Sequence, residues 1–139
     1  MIGLRRKARA LALQILYEVD TTDHKGEEIL NLLMDKEELS ENTRQFTFEL
    51  VIGVIKNKDK IDENIQNFAP AWPINQMPVI DRNILRLAIF EILLNNKVPT
   101  KVAINEAVEL AKTFGSDNSS KFVNGVLGSV SNLTEKLEN

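Results

Sequence analysis

Apolar residues in this chain recur three and four positions apart, and no stretch shows convincing two-residue alternation. In the first segment Ala8, Leu11, Ala12, Ile15, Leu16 and Val19 form such a stripe, the spacing that gathers side chains on one face of an α-helix. A second helix is expected from Glu27 to Glu38, with Ile29, Leu30, Leu32, Leu33 and Met34 on its apolar side. A third carries Phe46, Leu50, Val51, Val54 and Ile55 inward, and a short fourth around Lys60 to Phe68 buries Ile61, Ile65 and Phe68. From Val79 to Asn96 the apolar residues cover most of the circumference, which places that helix at the centre of a bundle. Lys101 to Phe114 is amphipathic, with Ala103, Ile104, Ala107, Val108, Ala111 and Phe114 inward. The last helix sets Val123, Val126, Leu127, Val130, Leu133 and Leu137 on its seam. Seven helices with short connections predict an all-α fold built from two packed helical bundles.

Residues 69–78 hold three of the four prolines and cannot continue a regular helix. The 139 residues are therefore expected to form one domain, with an N-terminal helical part over 1–68, a connector over 69–78 and a C-terminal helical part over 79–139. Within the connector Trp72 reads as a plug pinning the chain to the core ahead of the alternative, an RNA-stacking ring, because Pro, Ile and Met surround it and no basic residue does. Gly125 and Gly128 read as sites of close helix packing, since they sit inside an apolar helical pattern.

Composition narrows the function. With no cysteine, thiol catalysis, disulfides and Cys-based zinc sites are excluded, and the chain suits a reducing compartment. His24, the single histidine, lies among Thr21, Thr22, Asp23, Lys25 and Gly26 and reads as part of an exposed turn, so no metal site is expected. The basic start followed by Ala10 to Leu13 is interrupted by Gln14 and then Glu18, unlike a signal peptide, and no uncharged stretch would span a bilayer; a cytoplasmic location is expected. Arg5, Arg6, Lys7 and Arg9 put four positive charges and no negative one in residues 1–10; taking them from the net −3 leaves −7 on the rest. A concentrated basic patch on an acidic chain attracts phosphate locally without coating the whole surface.

No phosphate-binding glycine loop, dinucleotide fingerprint or nucleophile elbow occurs, no histidine partners a serine, and no cofactor is implied. The carboxylates Asp62 and Glu63, like Glu106 and Glu109, read as solvated faces of amphipathic helices. Two segments carry the chemistry of single-stranded RNA binding. One is the basic start of the first helix. The other is Gly115 to Asn124, where a helix N-terminus is accompanied by hydroxyls, by Asn118 and Asn124, by Lys121 and by Phe122, an aromatic able to stack on a splayed base. Ordinary capping, begun at Ser116 or Asp117 and followed by a core Phe122, explains the same residues. The alternatives for Leu13 and Tyr17 are burial or a partner contact.

Several blocks of the chain resemble the NusB family of transcription antitermination factors. They are Arg5-Arg6-Lys7-Ala8-Arg9 with Ala12 to Tyr17, then Asp81 to Glu91, then Val98 to Lys112, and finally Lys121-Phe122-Val123-Asn124-Gly125-Val126-Leu127. The resemblance runs in order along nearly the whole chain. It implies a non-enzymatic protein that pairs with NusE, a small-ribosomal-subunit protein. The pair binds boxA RNA and, with other Nus factors, helps RNA polymerase read through terminators, notably in ribosomal RNA operons. Carried over by position, Arg5, Arg6, Lys7, Arg9, Asn118, Lys121, Phe122 and Asn124 become RNA-binding candidates, and Tyr17, Asp81 and Arg86 candidates for the NusE face. Arg86 serves equally as an ion-pair partner within the fold. Two other readings remain: a helical adaptor that binds protein alone, and the NusB-like domain of a ribosomal RNA cytosine methyltransferase, for which the chain offers no Rossmann-like stretch and no attacking cysteine. The residues do not choose between monomer and homodimer.

Overall fold

The computed structural model describes residues 3–36 and 39–138, with side chains from Arg5 to Leu133 apart from Glu37 and Glu38. Seven α-helices occur among them: α1 Gly3–Thr21, α2 Gly26–Lys36, α3 Glu41–Lys56, α4 Lys58–Phe68, α5 Val79–Ile89, α6 Thr100–Phe114 and α7 Ser119–Glu138. A 3-10 turn, Ile74–Gln76, precedes α5, and a π-helical segment, Phe90–Asn95, continues it. No strand occurs among the described residues. The expected end of the second helix at Glu38 and the side chain of Leu137 lie outside the described residues.

The chain divides at Asn57/Lys58 into two compact helical units. In the first, α1 packs chiefly on α3, and α2 touches both. The α1 stripe buries Ala8, Ala12, Ile15 and Leu16, and α3 answers with Leu50, Val51 and Val54. Ser40 starts α3 by accepting a bond from the Thr43 N–H at 3.2 Å on its hydroxyl, satisfying one of the donors that a helix start leaves unpaired. Gly26 opens α2 where a Cβ would collide with the Ile55 side chain. Ile55 and Leu32, both expected inward, are exposed, Leu32 to 62%.

In the second unit α5 is the central helix, packed by α4, α6 and α7, and it buries Ile84, Leu85, Leu87, Ala88 and Ile89. This is the position its nearly all-round apolar pattern predicts. The π segment ends at Asn96, whose φ of 51° and ψ of 32° are left-handed, a conformation asparagine tolerates better than other side chains. Its N–H bonds the Glu91 carbonyl at 2.9 Å. Helix α4 groups with this unit instead of with residues 1–57, and an ion pair helps to hold it there. Arg86 Nε donates to Asp62 Oδ1 at 2.8 Å and Nη2 to Oδ2 at 3.0 Å, tying α5 to α4. Asp62 is thus a largely covered ion-pair partner and not part of a solvated face. The proline-rich stretch falls inside the second unit.

Three further expectations are corrected here. Phe114 and Leu133 are exposed, each lying toward the end of an inward stripe. A Cβ added at Gly125 or Gly128 would meet no atom of the described residues within 4 Å, so neither glycine packs closely against a described helix. Trp72 is 58% exposed and is not a plug.

Candidate nucleic-acid interface

Arg5 and Arg9 stand one helical turn apart on α1 and therefore share a face. That face meets Phe46 of α3: the guanidinium carbons lie 5.0 Å and 5.3 Å from the ring centroid. A cation over an aromatic ring gains about 0.5–1 kcal/mol when exposed and about 2 when desolvated. Phe46 is buried, and Arg9 is itself only 3% exposed, so the pair orders the start of α1 from beneath. Arg5, Arg6 and Lys7 stay exposed, which leaves three cations at the surface of one helical turn. Further along α1, Leu13 is buried in the core while Tyr17 is 42% exposed, separating two residues for which the sequence leaves the same pair of alternatives. His24 lies in the exposed turn expected for it, with Nδ1 3.1 Å from Glu18 Oε2.

In the second unit Gly115 ends α6, its N–H bonding the Ala111 carbonyl at 2.9 Å. Its backbone is extended, with φ −92° and ψ −173°, so glycine is required by space and not by a left-handed turn. A Cβ there would run into the Ser119 side chain and come within 2.8 Å of the Ala111 carbonyl oxygen. Ser119 is buried, and its hydroxyl accepts from the Ser116 N–H at 2.9 Å. The Ser119 side chain thus reaches back three residues to the Ser116 backbone, and the two serine hydroxyls lie 3.2 Å apart. The result is a tightly closed loop that presents Asn118, Lys121 and Asn124 to solvent and leaves Phe122 half-buried. The Phe122 N–H closes the first turn on the Asn118 carbonyl at 3.0 Å.

Phe122 packs against Trp72, with ring centroids 5.9 Å apart and planes at 74°, an edge-to-face pair. The Trp72 backbone is held by one side chain: Gln66 Nε2 donates to the carbonyls of Ala69 at 3.0 Å and Trp72 at 2.9 Å, and its Oε1 accepts from the Ile74 N–H at 3.0 Å. Sequence reasoning misses this neighbour of Phe122 because the connector carries no cation. The signal lies in the tertiary fold alone.

The remaining candidates sit on α5. Arg86 is buried, its guanidinium occupied by Asp62 and, through Nη1, by Asn83 Oδ1 at 3.2 Å. Asp81 is 4% exposed, and its Oδ1 has no hydrogen-bond partner among the described residues, a desolvation of a kind rare in folded proteins. Among the described residues no group of three or more His, Cys, Asp or Glu is placed to hold a metal, and no helix is long and apolar enough to cross a membrane.

Comparison with known proteins agrees with this architecture. The family model described as NusB family matches residues 6–132. The transcription antitermination protein NusB of Dehalococcoides mccartyi strain CBDB1 is 56% identical over 131 residues, covering 94% of this chain and 92% of the relative. The solved NusB of T. maritima superposes with a TM-score of 0.88 at 33% identity, covering all of both chains. A crystal structure of antitermination factors NusB and NusE in complex with dsRNA gives a TM-score of 0.84 at 24% identity over 94% of this chain and 97% of that one, a likeness of fold. By the match of its sequence along nearly its whole length, the chain belongs to the NusB family.

Proposed function

We propose that this chain is a non-catalytic transcription antitermination factor that binds boxA-type RNA together with NusE. With other Nus factors it helps RNA polymerase read through terminators, notably in ribosomal RNA operons. The observation that carries the reading is the cation cluster at the start of α1, in which Arg5 and Arg9 are seated over Phe46, in a chain otherwise formally −7. Fixed surface cations attract phosphate with less entropic loss on binding than mobile ones. Family membership and the likeness to a NusB bound to NusE and RNA support the same reading. A role at nascent transcripts places the chain in the cytoplasm.

In this reading Arg5, Arg6 and Lys7 meet phosphates directly, and Arg9, buried over Phe46, anchors the start of the helix that carries them. Asn118, Lys121 and Asn124 supply polar contacts and Phe122 a stacking surface. Tyr17, exposed on α1, belongs to the NusE face. Asp81 belongs to it through an oxygen left without a hydrogen-bond partner among the described residues, and Arg86 by holding α5 on α4. The test is co-elution on a sizing column of the chain, NusE and a boxA RNA. A ternary peak absent with scrambled RNA supports the function. Co-elution with NusE while RNA of either sequence elutes free supports the protein-only adaptor instead.

A further inference from the structure

An indole is among the largest apolar surfaces a side chain can leave in water, and Trp72 is more than half exposed although its backbone is tied down on both sides by Gln66. Core packing does not explain a ring held in place and left uncovered. Among the described residues its aromatic neighbour is Phe122, which follows Lys121 at the start of α7. We propose that Trp72 and Phe122 together form a stacking platform for an unpaired RNA base, with Trp72 a binding residue in its own right. This rests on the RNA-binding function proposed above and deepens it by assigning a base-contacting surface to the connector.

The chemistry favours a nucleobase over an aliphatic protein side chain. Two rings meeting edge to face offer a rigid aromatic corner with little entropy to lose, and every base has a π-face to lay against it. The cation of Lys121 and the polar side chain of Asn124 lie on the first turns of α7, with Asn118 in the turn just before it, where the phosphates and base edges of a strand bound this way need partners. A base inside a duplex is already stacked on both faces, so the platform selects unpaired nucleotides.

The experiment measures affinity for a short single-stranded boxA RNA, and for the same sequence as a duplex, using the full chain with NusE. Wild type is compared with Trp72→Leu and Trp72→Phe, and the denaturant midpoint of each is recorded. Trp72→Leu is expected to weaken single-strand binding by about 5- to 100-fold, the range of base–aromatic stacking. Trp72→Phe should stay within about threefold of wild type by keeping an aromatic face, and duplex binding should not change. Trp72 is the sole tryptophan, so quenching of its emission by the single-stranded RNA reports stacking in the unmodified chain and decides the matter should Trp72→Leu fail to fold. Unchanged single-strand affinity in Trp72→Leu, an equal loss on duplex, or a loss confined to NusE binding would each overturn the platform while leaving the proposed function standing. A wild-type chain and NusE that bind no RNA overturn the function, and the platform with it.

Discussion

The start of α1 and the start of α7 combine the same two ingredients, cations and aromatic rings, in opposite order. At α1 the ring is inside and the cations lie over it: Phe46 is buried, with Arg5 and Arg9 about its face. At α7 the rings are at the surface, Trp72 and Phe122 edge to face, with Lys121 beside them in sequence. The first arrangement uses its aromatic for folding and presents charge. The second presents the aromatics themselves. Charge gives affinity that falls with salt and is indifferent to base identity, whereas stacking is less salt-sensitive and needs an unpaired base.

The largest expected effect separates the two regions by stability. Phe46→Ala should lower folding free energy by about 3–5 kcal/mol, as for other buried phenylalanines, seen as a drop in denaturant midpoint. Phe122→Ala, at a half-buried position, should shift the midpoint far less and cost about 1–3 kcal/mol in RNA binding. Equal midpoint losses in the two variants would erase the distinction.

Next in size is Gly115→Ala, which forces a methyl group against Ser119 and the Ala111 carbonyl. Overpacking of this kind costs about 1–3 kcal/mol. Because the same crowding sits where the loop closes before α7, single-stranded RNA binding should weaken alongside thermal stability, with the salt dependence of binding retained.

What the sequence makes legible follows the same division. The stripes on α1, α3 and α5 can be read because periodicity alone tells which face turns inward. Periodicity does not tell whether a neighbour arrives to cover that face, so Leu32, Ile55 and Phe114 are expected inside and lie exposed. The basic start of α1 stands out as charge, but the burial of Arg9 on Phe46 depends on how α1 and α3 are aligned, which no local pattern encodes. Arg86 is legible as an ion-pair candidate. Its partner Asp62 is not, since a carboxylate on an amphipathic helix looks the same whether water or an arginine faces it. Trp72 is misplaced for a related reason: its sequence neighbours are apolar, while its spatial neighbour comes from another helix.

A smaller effect is expected from charge. Replacing Arg5, Arg6 and Lys7 by Ala should flatten the plot of log affinity against log salt by about 0.7 for each phosphate that the variant no longer neutralises, with the slope of Trp72→Leu left at the wild-type value. A triple variant with an unaltered slope would move phosphate binding away from α1.

The smallest effect is a gain. Gly125 and Gly128 lie inside α7 with open space around them, so Gly125→Ala should raise stability by about 0.5–1 kcal/mol by restricting the unfolded chain and favouring the helix. Thermal unfolding checks it, and a loss of stability would mean that this face of α7 is covered.

Whether cations at α1 and aromatics at α7 both take part in RNA binding is decided by the affinity of the chain with NusE for boxA RNA and for a scrambled strand of the same length and composition. Binding should be tighter to boxA and steeply salt-dependent on both strands, because phosphate contacts are shared and base contacts are not. Equal affinity for the two strands would contradict base recognition at α7, and salt-independent binding would contradict the role assigned to α1.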